Sequence, residues 1–103
     1  MNKILFIKEV EQDMDLLEDD VYEEAYRYLK LLEKDYEKYS LPLYNMYGRN
    51  LKGCRKTYFW NAEYRIISKL ENGIINIINV IAIGKREDME VYKDAHNRIN
   101  NPS

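Results

Sequence analysis

Tyr64-Arg65-Ile66-Ile67-Ser68-Lys69-Leu70, then Glu71-Asn72-Gly73, then Ile74-Ile75-Asn76-Ile77-Ile78-Asn79-Val80-Ile81-Ala82-Ile83 is the stretch that decides the fold. Both flanking runs are rich in β-branched residues and read as strands. The second is almost continuously apolar, which predicts a strand inside the sheet, covered on both faces. Between them Asn72-Gly73 predicts a two-residue type I′ hairpin, because both central positions of that turn need positive φ. Upstream, Arg55 to Trp60 predicts a third strand, joined to the Tyr64 run by a weaker turn at Asn61-Ala62.

Outward from this meander the pattern changes. Lys3 to Lys8 is a short apolar run that reads as a strand. From Glu11 to Tyr39 the apolar period becomes helical: Val21, Ala25, Tyr28, Leu29, Leu32, Tyr36 and Tyr39 recur at three- and four-residue spacings. Asp20 followed by Glu23 resembles a capping box, and Glu23 and Arg27 are spaced as an i,i+4 ion pair. A shorter helix with Met14 and Leu17 inward precedes it. Ser40-Leu41-Pro42 ends the helical segment, since the residue before proline is driven out of helical geometry. A loop around Gly48 and Gly53 leads into the meander. Beyond it, Asp88 is placed to cap a final helix with Val91, Ala95 and Ile99 inward. The predicted order is β-α-α-β-β-β-α: an α+β fold in which an antiparallel meander packs against an N-terminal helical hairpin, with a short C-terminal helix.

At 103 residues the chain is expected to form one domain over 1–103. Its longest apolar stretch, Ile74 to Ile83, has about half the length a membrane helix needs and is broken by Asn76 and Asn79. The N-terminus meets charges too soon for a secretory signal, so a cytoplasmic location and no membrane partner are expected. Cys54 is the only cysteine and His96 the only histidine. An intrachain disulfide is therefore impossible, a cysteine- or histidine-based metal cage is not expected, and nothing orients the two as a catalytic pair.

The net charge of −2 hides an asymmetry. Residues 1–40 carry six Lys/Arg against twelve Asp/Glu, whereas residues 41–103 carry ten against six. The acidic excess sits on the helical segment and reads as a solvated outer face. An anion-binding surface is to be sought in the second half. Counting outward from the two turns pairs Glu71 with Ile74, Arg65 with Val80, and Tyr58 with Arg65. Lys56, Tyr58 and Arg65 then share one face, with Arg86 of the same parity where the last strand gives way to the final helix. Guanidinium groups suit phosphate oxygens and tyrosines suit unpaired bases. Spacing alone leaves two readings open, a nucleic-acid site or basic side chains on exposed strands among ten tyrosines.

Leu51-Lys52-Gly53-Cys54-Arg55-Lys56, Tyr64-Arg65-Ile66-Ile67, Ile81-Ala82-Ile83-Gly84-Lys85-Arg86-Glu87-Asp88 and Glu90-Val91-Tyr92 resemble the consecutive signature blocks of RelE-type toxins in the RelE/ParE superfamily. The likeness covers the C-terminal half; the acidic N-terminal half matches in its β-α-α layout. It implies the toxin of a type II toxin–antitoxin pair, a ribosome-dependent endoribonuclease that cuts mRNA in the A site and is neutralised by a cognate antitoxin. It also implies cleavage without metal or other cofactor, by attack of the ribose 2′-hydroxyl on the adjacent phosphate. By position, Lys56 falls on the proton-abstracting side and Arg65 on the transition-state phosphate. Arg86 neutralises charge and assists the leaving group, and Tyr92 orients or stacks on a base. Arg49, Lys52, Arg55, Tyr58 and Lys85 would bind RNA around them. Two features depart from the pattern. RelE-type enzymes often carry a second lysine two residues after the first, where this chain has Tyr58, and they are usually strongly basic, whereas this chain is mildly acidic. The resemblance also admits a ParE-like gyrase-inhibiting toxin and a catalytically inactive binding or regulatory protein on the same fold.

Overall fold

The computed structural model describes residues 2–46 and 49–100, with only the backbone of residues 45, 46 and 49. The elements run β1 (Asn2–Phe6), α1 (Lys8–Asp15), α2 (Asp19–Lys34), β2 (Leu41–Pro42), β3 (Asn45–Met46), β4 (Arg49–Asn50), β5 (Cys54–Phe59), β6 (Tyr64–Glu71) and β7 (Asn76–Lys85). A 3₁₀ turn at Glu87–Met89 then leads into α3 (Glu90–Asn100). The main sheet has the order β1-β7-β6-β5-β2, with β5, β6 and β7 forming the expected antiparallel meander. To it β1 adds parallel to β7, from Asn2 opposite Asn76 to Phe6 opposite Val80. The α1–α2 hairpin carries the chain from β1 across one face to β2 at the opposite edge, and the meander then returns β7 to lie parallel beside β1.

The helices bury two separate cores, one on each face of the sheet. On one face Val10 and Met14 of α1 and Val21, Ala25, Leu29 and Leu32 of α2 pack on Phe59, Ile66, Ile78, Val80 and Ile83. On the other, Val91, Tyr92 and Ala95 of α3 pack on Cys54, Ile67, Ile81 and Ala82 with Leu43 and Leu51. Each large aliphatic removed from water in this way contributes about 1.5–3 kcal/mol. The helical stripe is as its period requires, but α2 ends at Lys34, and Tyr36 reaches the core from beyond it. Its start differs too. Glu18 is the N-cap and makes no side-chain cap bond, so Asp20 and Glu23 form no capping box. Arg27 pairs with Glu24 at 3.4 Å instead of with Glu23.

The two turns of the meander exchange roles. At the β5–β6 turn the Glu63 amide donates to the Trp60 carbonyl at 3.0 Å, and Asn61 and Ala62 have φ of 54° and 64°. Both central φ values are positive, as a type I′ turn requires. At the β6–β7 turn Glu71 faces Ile77 instead of Ile74, so Asn72-Gly73 is part of a five-residue connection and Gly73 has no positive φ. Arg65 accordingly faces Gly84 instead of Val80. Two constraints displace the register. Pairing with β1 starts β7 at Asn76, and Ile78, Val80 and Ile83 must lie under the helices, an arrangement that a one-residue slip would reverse. Between the pairs Ile67–Ala82 and Ser68–Val80 one extra residue, Ile81, is accommodated as a bulge.

Where β1 ends, side chains take over from the strand. The Ile83 amide donates to Asp13 Oδ2 at 3.0 Å, and the bulged Ile81 carbonyl accepts from Arg98 Nη1 at 2.9 Å. Arg98 and Asp13 are themselves joined by two bonds of 2.6 and 2.9 Å. This clasp ties α1, β7 and α3 together and satisfies backbone groups that lack a neighbouring strand. The carboxylate beside it holds the Arg98 guanidinium above its ordinary value, a shift that burial opposes. No helix among the described residues is long and apolar enough to cross a membrane.

Candidate active site

Five of the singled-out residues, Lys56, Tyr58, Arg65, Arg86 and Tyr92, converge where β5, β6 and the end of β7 meet α3. Arg65 is the centre. It is only 6% exposed, and its Nε donates to the Tyr92 hydroxyl at 2.9 Å. Its Nη1 donates to the carbonyl of Ala62 and, at 3.5 Å, to that of Tyr64. The guanidinium carbon lies 3.9 Å from the centroid of the Tyr58 ring, stacked on it as a cation on an aromatic face. Tyr58 is directly opposite Arg65 in the β5–β6 ladder, so the parity read from the Asn61-Ala62 turn places them together.

The β5–β6 turn is the scaffold for both arginines. Trp60, Asn61 and Ala62 have φ of 53°, 54° and 64°, and this left-handed path aims the Ala62 carbonyl at Arg65. The next carbonyl, of Glu63, accepts from the Arg86 amide at 2.9 Å, which fixes the start of the segment after β7. Asp88 and Met89 are also left-handed, with φ of 53° and 60°. Non-glycine residues in that region cost about 1–2 kcal/mol each, so the surrounding packing holds both bends in place. Asp88 therefore does not cap α3; it forms the bend of the 3₁₀ turn.

Around this centre the Lys56 ammonium lies 5.1 Å from the Tyr58 ring centroid. Lys56 is half-buried, while Arg86, Lys85 and Lys52 are exposed. Arg86 lines an open groove of about 510 Å³ with Lys85, Glu63, Glu87, Asp88 and Met89. The Tyr58 phenol is held below its ordinary value, first by the neighbouring Lys56 ammonium and then by the charges of Arg65 and Arg86, against an upward push from desolvation. Lys56, Tyr58 and Arg65 lie outside the lining of that groove, so the site is a cluster of cations around an exposed phenol, with Arg86 shared between cluster and groove. Among the described residues no cluster of three or more His, Cys, Asp or Glu side chains is arranged to hold a metal ion.

No protein-family model matches the chain, and no curated protein matches it either. Solved structures do. It superimposes on a mutant E. coli RelE toxin in the free state with a TM-score of 0.70 at 23% identity, over 94% of this chain and 96% of the other. The isolated E. coli RelE toxin gives 0.65 at 23% identity, over 94% and 97%. The toxin–antitoxin complex RelBE2 of Mycobacterium tuberculosis gives 0.65 at 14% identity, over 82% of this chain and 96% of that one.

The chain has the RelE fold.

On this RelE fold two sequence-derived assignments change. Tyr92 offers no face to a base: it is 2% exposed, its ring is packed in the α3 core, and its hydroxyl is engaged by Arg65. Its geometry makes it a positioning residue, and the exposed aromatic is Tyr58 at 38%. Arg55 points to the opposite side of the sheet from Lys56 and Tyr58. There Nε donates to Ser40 Oγ at 2.6 Å and Nη2 to the Ser40 carbonyl at 2.9 Å, with the guanidinium over the Tyr36 ring. It fastens the end of the helical segment to β5 and is separated from the cluster. The Arg49 side chain lies outside the described residues. The residues missed in the sequence are Asp13 and Arg98, which hold α3 and hence Tyr92 in place. One signal was available: Asp13 sits on the inward stripe of α1 beside Val10 and Met14, where a carboxylate needs a partner.

Proposed function

We propose that this chain is the toxin of a type II toxin–antitoxin pair and acts as a ribosome-dependent mRNA endoribonuclease in the cytoplasm. The observation that carries the reading is the buried Arg65 guanidinium, fixed by Tyr92 and the Ala62 carbonyl beside Lys56 and Arg86. Cleavage by 2′-hydroxyl attack builds negative charge on phosphorus-bound oxygens. Preorganised cations, the central one buried, stabilise that charge more in the transition state than in the ground state. Arg65, held from both ends, loses little further freedom on meeting a phosphate. Arg86, exposed where β7 ends, neutralises charge at the leaving 5′ oxygen, and Lys56 marks the side of the 2′-hydroxyl. Lys52, Lys85 and Arg49 would carry the flanking phosphates, and the exposed part of the Tyr58 ring would meet a base.

The ribosome supplies what the chain lacks. With its net charge of −2, it draws RNA weakly over long range, and an mRNA already presented in the A site needs no such attraction. A neutralising antitoxin is part of the proposal, supported by the similar fold of the Mycobacterium tuberculosis toxin seen with its antitoxin. The test is induced expression without an antitoxin. Growth arrest with mRNA cut inside codons on ribosomes is expected, relieved by Arg65→Ala and by Arg86→Ala. Arrest that persists in both variants would rule the assignment out. A DNA-damage response with intact mRNA would point to gyrase.

A further inference from the structure

Building on that nuclease reading, we propose that Tyr58 is the residue that removes the ribose 2′ proton, with Lys56 holding its deprotonated oxygen. A general base must be present in its unprotonated form and must reach the substrate. A guanidinium keeps its proton at every cellular pH, so an arginine cannot serve. Of the grouped residues Tyr58 and Tyr92 become anions on losing a proton. Tyr92 is buried with its hydroxyl engaged by Arg65, which leaves Tyr58 as the accessible one, and a cluster of cations favours an anion. Three positive groups face it from three parts of the fold: Lys56 on β5, Arg65 on β6 and Arg86 after β7. Together they depress the phenol, which raises the share of phenolate near neutral pH.

Access agrees with this role. Tyr58 is 38% exposed, whereas Arg65 beneath it is 6% exposed, so a ribose approaching the cluster from solvent meets the tyrosine first. Carboxylates of Glu63, Glu87 and Asp88 line the groove on the Arg86 side. Among the described residues none forms an ion pair with Lys56, Arg65 or Arg86, and a carboxylate is a weaker base than a phenolate. The step balances as follows. The 2′ O–H bond breaks and its proton moves to the Tyr58 phenolate oxygen. The freed electron pair forms the 2′ O–P bond as the P–O5′ bond breaks, and the leaving oxygen takes a proton from water beside Arg86. The products are a 2′,3′-cyclic phosphate and a 5′-hydroxyl, with Tyr58 returned to a neutral phenol that releases its proton to solvent.

Tyr58→Phe separates this role from stacking, because it keeps the ring that lies on Arg65 and removes only the hydroxyl. The experiment is single-turnover cleavage of ribosome-bound mRNA across a pH range, with ultraviolet titration of the tyrosines in the same variants. The expected result is a loss of about 100-fold or more in rate. The acid limb of the wild-type pH profile should also disappear, and the difference titration should show a phenol that ionises before the other tyrosines. Wild-type rate and pH profile in Tyr58→Phe would overturn the role of Tyr58 while leaving the nuclease reading standing. So would an acid limb lost only in Lys56→Met. A wild-type chain that cuts no ribosome-bound mRNA would overturn both.

Discussion

The Nε of Arg65 on β6 donates to the hydroxyl of Tyr92 on α3 at 2.9 Å, and both side chains are buried. This bond couples the packing of the last helix to the orientation of the central cation. Tyr92→Phe leaves the ring in its core and takes away the acceptor, so a buried charged donor loses its partner. The expected cost is about 1–3 kcal/mol in stability. Cleavage should fall about 10-fold or more as Arg65 loses its fixed orientation. Urea denaturation and single-turnover assays on the same preparations read the two effects separately.

The Asp13–Arg98 clasp should matter for stability well away from the cation cluster. Arg98→Ala strands the Asp13 carboxylate and the carbonyl of the bulged Ile81 at once. Breaking one side of a buried pair costs about 3–5 kcal/mol. The lower end applies here, because the two side chains keep 15% and 10% exposure. A lowered denaturation midpoint, with α3 amides exchanging faster than those of β6, is the expected pattern.

Asp94 gives a pH dependence with a definite sign. Burial raises its carboxyl above the ordinary 3.8, against a downward pull from Arg98 and with further upward pushes from Asp13 and Glu90. The folded state therefore binds this proton more tightly than the unfolded state. Its contribution to stability is lost as pH rises from the ordinary value through the raised one. Asp94→Asn should consequently be more stable than the wild type at neutral pH. Thermal midpoints measured from about pH 7 down to about pH 4 should show that advantage shrinking.

The exposed lysines at the rim should act through phosphate charge alone. Lys52→Ala and Lys85→Ala are each expected to weaken binding to single-stranded RNA and to lower the slope of log affinity against log salt by about 0.7. Salt-titrated binding to a short unstructured RNA measures this directly. An unchanged slope in both variants would remove these lysines from the RNA path.

How far the sequence revealed this depended on whether a residue's neighbours were local. The α2 stripe and the inward Val91, Ala95 and Ile99 of α3 follow from period alone, and the structure places them as expected. Tyr58 and Arg65 were legible because one short turn fixes their pairing. The β6–β7 register was not, because it is set by β1, some seventy residues earlier in the chain, and by a bulge at Ile81 that no local signal marks. The same holds for Arg55 and Tyr92, whose chemical type suggested RNA contact. Only the packing of Tyr36 and Ser40 on one face, and of Arg65 on the other, shows where their polar groups are engaged. Resemblance singled out the residues, and tertiary contacts decided which of them face solvent.

The central claim is that a fixed Arg65 within this cation cluster stabilises the transition state of RNA cleavage. Purified ribosomes carrying an mRNA in the A site, mixed with the wild-type chain and with Arg65→Ala, test it most directly. The expected result is rapid cutting that leaves a 2′,3′-cyclic phosphate, unaffected by a metal chelator that leaves the ribosomes intact, and a loss of about 100-fold or more in the variant. Cutting at equal rates by the two proteins, or none by the folded wild type, would contradict the account.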